Sequence, residues 1–207
     1  MKKYILLLAL LLSSTTFAVE PKFNDNFKQT KNEIETSSPG KIEVLELFWY
    51  GCIHCYSMDP YLDKWADSLP DDVVFKRVPA IPRKSWVPGA KAYFALETLG
   101  LEGKLHEKLF DAIHKEKDVD PNNEAALISW ITLNGKLDEK EVKAAFNSFS
   151  IDTKLKKSYK IFKEAGATGV PTIIIDGNYM TSSTMAGGEK NAIDITNYII
   201  ENIRNDR

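Results

Sequence analysis

Ile42-Glu43-Val44-Leu45-Glu46-Leu47-Phe48-Trp49-Tyr50-Gly51-Cys52-Ile53-His54-Cys55-Tyr56 decides how this chain is read. Its first nine residues are a nearly continuous apolar run. That is the pattern of a strand buried on both faces, as in a covered parallel sheet. Gly51 breaks the run. From Cys52 onward Tyr56, Leu62, Trp65, Ala66 and Leu69 recur at helical spacing, so a strand feeds directly into a helix. Pro60 falls inside that helix and is expected to kink it, because proline removes a backbone donor. The junction holds the chain's only two cysteines, Cys52 and Cys55. Free N–H groups and the positive helix end favour a thiolate there. Cys52, first in the pair, is read as the exposed, attacking thiol. Cys55, one turn in, is the more buried, resolving thiol. His54 between them can stabilise a thiolate charge.

The other uses of a C-x-x-C pair fit poorly. A disulfide closing so small a loop constrains the unfolded chain very little. A zinc site takes four ligands as a rule, and this sequence has no second cysteine pair, while His106 and His114 lie far along the chain. Haem attachment needs histidine directly after the second cysteine, where Tyr56 stands. No metal or other cofactor is expected. His106 and His114 are expected on the surface.

The chain's 207 residues carry a formal net charge of −2 and show no basic stripe that would suggest nucleic acid. Lys2 and Lys3 followed by the apolar run Tyr4 to Leu12 make a targeting segment, 1–18. Thr16 and Ala18 fit the small-residue rule for cleavage before Val19. The apolar run is short for a membrane span, though an uncleaved anchor is the alternative. Export places the cysteines in an oxidising compartment.

Beyond the first helix, Val73 to Val78 reads as a second strand. Helical patterns then succeed one another: Pro88 to Leu99, Lys104 to Lys115, Pro121-Asn122 to Leu133, Asp138 to Phe146, and a longer helix capped by Ser150 or Asp152 and ending near Gly166. Strands return at Thr172 to Ile175 and, after the Asp176-Gly177-Asn178 turn, at Tyr179 and Met180. An amphipathic helix, Glu189 to Ile203, closes the chain, with Ile193, Tyr198, Ile199 and Ile203 inward. The expected fold is α/β: a mixed sheet in two parts, 19–83 and 151–207, interrupted by an all-helical insertion, 84–150. Glu46 is a carboxylate in an otherwise apolar strand, so it should be paired or hold its proton unusually tightly. Lys76 and Arg77 are candidate partners, and strand alternation lets only one of them face it.

The segment Val44 to Tyr56, together with Asn147-Ser148-Phe149 and Gly169-Val170-Pro171-Thr172, resembles the DsbA branch of the thioredoxin superfamily, the exported thiol oxidases. The resemblance covers most of the chain after residue 18. It implies a thioredoxin-like fold and a dithiol oxidase that donates a Cys52–Cys55 disulfide to reduced exported proteins in the periplasm. A membrane quinone reductase of the DsbB type would reoxidise it, and the protein would act as a monomer. It also implies that Pro171 is cis and faces the pair, that Ile53, Val170 and Pro171 meet the substrate peptide, and that Glu46 is a buried acid assisting proton transfer at Cys55. The sequence departs from the family at Ile53, where the best-known members carry proline; this dipeptide tunes the redox potential across the superfamily. Two other functions are compatible with a C-x-x-C pair. One is an isomerase or reductase on the same fold, which in this compartment usually carries a dimerisation domain that Val19 to Lys41 is too short to supply. The other is a peptide-binding module with incidental cysteines.

Overall fold

The computed structural model describes residues 20–206. The targeting segment expected over 1–18 and its cleavage point lie outside them. Among the described residues five strands form one mixed sheet: β1 (Lys28–Gln29), β2 (Ile42–Phe48), β3 (Val73–Pro79), β4 (Thr172–Ile175) and β5 (Tyr179–Ser182), in the order β1-β5-β4-β2-β3. β2 and β3 are parallel, and the other pairings are antiparallel. β2 is buried along its whole length, as its unbroken apolar run requires. β1 is not anticipated by the sequence pattern. Its two residues, Lys28 and Gln29, carry no apolar alternation and simply extend the sheet edge beside Met180 and Tyr179.

Alternation along β2 sorts the core into two layers. Ile42 and Val44 pack with Met58, Leu62 and Trp65 of α1 (Ile53–Ala66) and with Ile195, Ile199 and Ile200 of α8 (Glu189–Asp206). Leu45 and Leu47 point the other way, onto Ile161 and Ala165 of α6 (Phe149–Ala165). Helix α1 contains Pro60 and runs on past it to Ala66.

The helical block holds α2 (Val87–Thr98), α3 (Glu102–Asp111) with a π turn over Ala112–Glu116, α4 (Glu124–Gly135) and α5 (Glu139–Phe146). Leu96, Leu105, Leu109, Phe110, Leu127, Ile131 and Phe146 form its core, which is continuous with Phe48, Tyr50 and Cys55. Two helix starts differ from the sequence expectation. α4 begins after Asn123, whose side chain accepts from the Ala126 N–H, rather than at Pro121-Asn122. α6 is capped by Ser148, not by Ser150 or Asp152. Phe149, 83% exposed, hides this start because it breaks the apolar pattern there. α6 begins against the block through Ile151 and ends on the sheet through Ile161 and Ala165, so the expected boundary at 150 falls inside its first turn. A short helix, α7 (Ser183–Ala186), links β5 to α8.

The β4–β5 turn is locked by backbone contact. Gly177 adopts φ +70°, its carbonyl accepts from the Ile34 N–H, and a Cβ added there would lie 2.0 Å from the Ile34 carbonyl oxygen. Gly40 has a similar φ, +76°, with open space around it. Gly40→Ala is therefore expected to lose only the left-handed backbone preference, about 1 kcal/mol. Gly177→Ala should lose more than about 2 kcal/mol, because backbone must also move. Urea denaturation of the two variants measures the difference.

Candidate active site

The end of β2 delivers Cys52 to the start of α1 through a tight turn in which the Cys52 N–H donates to the Trp49 carbonyl at 2.9 Å. Gly51 leaves room there for the Trp49 ring: a Cβ would lie 2.5 Å from it, so the ring, which stacks on Trp86 with centroids 4.1 Å apart, would have to shift. Cys52 is the N-cap of α1, and its Sγ accepts from the Cys55 N–H at 3.4 Å. A thiol in the capping position takes the role usually filled by Ser or Asp, so negative charge on it is favoured.

Both cysteines are free thiols, and their surroundings differ sharply. Cys52 is partly exposed. The hydrogen bond from Cys55 pulls its pKa down; burial opposes this, while the Cys55 and His54 N–H groups and the His54 side chain add to it, and the result is about 6. Cys55 is fully buried, and burial drives its thiol well above the ordinary range, helped by its hydrogen bond with Cys52 and the charges of Cys52 and Glu46. The sequence assignment of an exposed first thiol and a buried second one matches this geometry. His54 and Ile53 are both exposed, Ile53 at 52%, and both lie at the mouth of the pair.

The Val170–Pro171 peptide is cis. Cys52 Sγ donates to the Val170 carbonyl at 3.4 Å, so the strand before β4 faces the pair although it lies 118 residues away. Val170 is partly buried and Pro171 buried.

Glu46, 1% exposed, lies on the strand that leads into the cysteine turn, close enough for its charge to be felt at both thiols. Alternation directs it to the α1 face, and the parallel register sets it opposite Arg77. Of its two candidate partners Arg77 is the one that meets it, Nε to Oε2 at 3.3 Å, although the orientation does not make a hydrogen bond. Lys76 points to the opposite face and pairs with Glu43 at 2.6 Å. Arg77 gives its better donors to Asp59, 2.9 Å, and Asp63, 2.5 Å. Burial pushes the Glu46 carboxyl up to about 8; Arg77 opposes the rise, and Asp59, Asp63 and Cys52 add to it.

The two histidines of the helical block correct the sequence expectation, which puts both on the surface. His106 is 4% exposed, its Nδ1 lying 2.8 Å from the Tyr50 hydroxyl and its Nε2 3.1 Å from Asp59 Oδ1. His114 is partly buried; its Nε2–H donates to the Tyr50 carbonyl at 2.7 Å, and its ring stacks on Tyr56. Tyr50, Asp59 and both histidines are site residues that sequence reasoning misses. A signal is present: His106, Phe110 and His114 are spaced by four, on the face that Leu109 also shares, so the period of α3 places them inward. Among the described residues no three His, Cys, Asp or Glu side chains gather as a metal site.

This arrangement, a capping thiol beside a buried one with a cis-proline loop in front and a buried acid nearby, belongs to a chain that matches known proteins along nearly its whole length. The model of the DSBA-like thioredoxin domain matches residues 78–192, more than half of the sequence. The thiol:disulfide interchange protein DsbA of Azotobacter vinelandii is 35% identical, over 88% of this chain and 85% of its own length. The protein of the same name from Pseudomonas aeruginosa is 34% identical over 97% of this chain and 96% of its own. Among solved structures, that of Pseudomonas aeruginosa DsbA superposes with a TM-score of 0.83 at 32% identity, covering 90% of this chain and 96% of that one. The DsbA of Xylella fastidiosa gives 0.83 at 28%, covering 89% and 98%. With sequence and fold both shared along this length, the chain belongs to the DsbA-like thioredoxin family.

Proposed function

We propose that this protein is a thiol:disulfide oxidoreductase that works as a dithiol oxidase, donating a Cys52–Cys55 disulfide to newly exported proteins. The asymmetry of the pair carries the reading. A Cys52 thiol with a pKa of about 6 holds roughly ten thiolates to each thiol at pH 7, and it is the better leaving group. Stabilising the reduced form in this way makes the disulfide form a stronger electron acceptor.

The reaction balances as two thiolate exchanges. A substrate thiolate attacks Cys52 Sγ, the Cys52–Cys55 bond breaks, and Cys55 leaves with the electron pair and takes a proton; Glu46, beneath it, is the donor. The second substrate thiolate then attacks the substrate sulfur of the mixed disulfide and releases Cys52 as a thiolate. The substrate is oxidised by two electrons and the pair is reduced. Ile53, Val170 and Pro171 bind the substrate segment: exposed Ile53 offers apolar contact, and the backbone at Val170, already facing Cys52, suits an extended peptide. His54 steadies the thiolate. The domain reading keeps residues 19–83 and 151–207 as the thioredoxin-like part and 84–150 as the helical insertion. The protein would work in the periplasm after cleavage following Ala18, as a monomer, with reoxidation by a DsbB-type membrane quinone reductase. The named relatives support this reading, and so does the signal-like start of the sequence.

Three results are expected. Alkylation of Cys52 should track a single ionisation with a midpoint near pH 6, and His54→Ala should move that midpoint up. Equilibration with a glutathione buffer should give a potential well above the roughly −270 mV of thioredoxin, and Cys52→Ala should abolish oxidation of a dithiol peptide. A thioredoxin-like potential, or a Cys52→Ala chain that still turns over, overturns the oxidase reading. The third concerns Glu46. Its folded pKa of about 8 lies above its ordinary 4.5, so its effect favours folding least at high pH: a penalty grows as pH rises from 4.5 and levels off above 8. At pH 7 the penalty is on the order of 3 kcal/mol. Glu46→Gln should therefore stabilise the reduced protein at pH 7 in urea denaturation while slowing substrate oxidation by about tenfold or more.

A further inference from the structure

The two buried carboxyls that share Arg77 are not equally served. Asp59, 2% exposed, receives the Arg77 Nη2 donor at 2.9 Å and the His106 Nε2 donor at 3.1 Å on the same oxygen. Glu46, equally buried, has only the misaligned Arg77 Nε at 3.3 Å on its Oε2, which makes no hydrogen bond; Oδ2 of Asp59 is unpartnered too, so the difference lies in the two donors that meet on Asp59 Oδ1. The direction of the His106 bond is set by its partners. An ionised carboxylate only accepts, so Nε2 carries the hydrogen toward Asp59. The Tyr50 hydroxyl is buried, and burial holds its proton firmly, so it donates to Nδ1. The chain Tyr50 O–H to His106 to Asp59 therefore runs one way and ends on a carboxylate.

Two buried carboxylates around one shared guanidinium leave the cluster with surplus negative charge, and the less well-served carboxyl is where a proton is held most easily. We propose that His106 is a positioning residue that decides which carboxyl holds it: by donating to Asp59 it keeps Asp59 ionised and leaves the proton on Glu46, beside the cysteine pair. The titratable and charged groups coupled to Glu46 are Arg77 from β3, Cys52, Cys55, Asp59 and Asp63 from the α1 segment, and Tyr93 from α2; Glu102 of α3 joins through Arg77, and His106 of α3, with Tyr50 behind it, through Asp59. Of these Arg77 and His106 are the donors that bear on the choice. Arg77 touches both carboxyls, whereas His106 touches Asp59 alone of the two. The electrostatic balance agrees. Burial raises Asp59, but the hydrogen bond from His106, together with Arg77, brings it below its ordinary value, while Glu46 rises to about 8. The consequence rests on the oxidase reading: with the proton on Glu46, the departing Cys55 thiolate finds its donor in place.

The test is a carbon-13 titration of the Glu46 and Asp59 carboxyls in the full reduced chain and in His106→Leu, His106→Gln and Asp59→Asn. Because leucine strands the Tyr50 hydroxyl, Tyr50→Phe combined with His106→Leu is measured as well. In the native chain Glu46 should titrate near 8 with Asp59 already ionised. Removing the donor in either leucine variant should lower the Glu46 midpoint by about one pH unit or more, raise that of Asp59, and move the break in the pH dependence of the redox potential by the same amount. Glutamine, which keeps a donor, should return both carboxyls toward native values. Asp59→Asn, which imposes an uncharged Asp59, should lower Glu46 without touching His106. An unmoved Glu46 in the leucine variants, or a glutamine variant shifted as far as leucine, overturns the proposal. The oxidase reading is judged separately on the native chain's glutathione equilibrium, so either can fail while the other stands.

Discussion

The register that sets Glu46 opposite Arg77 in the parallel pair β2–β3 is the constraint around which the rest of the site is built. Both side chains face α1 because alternation leaves them no other face, and both are almost removed from water. With Glu46 ionised the two would form a buried ion pair, and that is no gift to stability. Desolvating the two charges costs more than their attraction returns unless further hydrogen bonds are supplied. The structure supplies them to Arg77, through Asp59 and Asp63 of α1, and withholds them from Glu46. The result is a fold that tolerates one poorly solvated carboxyl within electrostatic reach of its cysteine pair. Replacing that carboxyl with an apolar side chain would make a better core and, on the mechanism proposed above, remove the proton donor, the usual opposition between stability and function at a site.

The same logic holds at the mouth of the site. Cys52 caps α1 in place of a residue that would do the job better, and Sγ is a weaker acceptor than a hydroxyl or carboxylate oxygen. What the helix loses in capping, the thiolate gains in stabilisation, because the N–H groups that need a partner are the ones that need an anion. Because Cys52's folded pKa lies below its ordinary 9.0, the thiolate contributes stability to the dithiol form that is present at high pH and lost as pH falls through about 6. Whatever stabilises the reduced form makes the disulfide form a stronger oxidant. The placement of a thiol at a helix start thus favours the oxidising direction.

How much of this can be read from residues alone depends on whether the signal is local. The β2 run, the cysteine pair and the Asp176-Gly177-Asn178 turn each decide their structure within a few residues, and the four longer strands, α1 and the hairpin lie where the pattern puts them. β1 carries no pattern because two polar residues at a sheet edge bury nothing. The Ser148 cap is hidden by Phe149, an aromatic turned to solvent. The choice between Lys76 and Arg77 is a question of register, which a single strand cannot answer and the neighbouring strand does. The histidines escape for a different reason. Each is polar, and polarity alone points to the surface, whereas the spacing of four that joins His106 and His114 to Phe110 points to the buried face of α3.

Their burial bears on what the helical block is for. An insertion that merely covered the sheet would need apolar side chains only, and its core of Leu105, Leu109, Leu127 and Phe146 supplies them. It also sends two imidazoles to one residue at the base of the catalytic turn. His106 holds the Tyr50 hydroxyl and His114 holds the Tyr50 carbonyl, so Tyr50 is fixed at both ends by a single element, α3 with its π turn. A π turn adds a residue to the helical circuit and rotates the residues beyond it, and such turns recur at functional sites. Tyr50 lies two residues before Cys52, on the segment whose geometry sets where Sγ meets the helix N–H groups. The block is thus mechanically joined to the thiol it overlies, through hydrogen bonds that an apolar lid could not make. A change in the packing of α3 would be felt directly at the turn before Cys52, through the two hydrogen bonds to Tyr50.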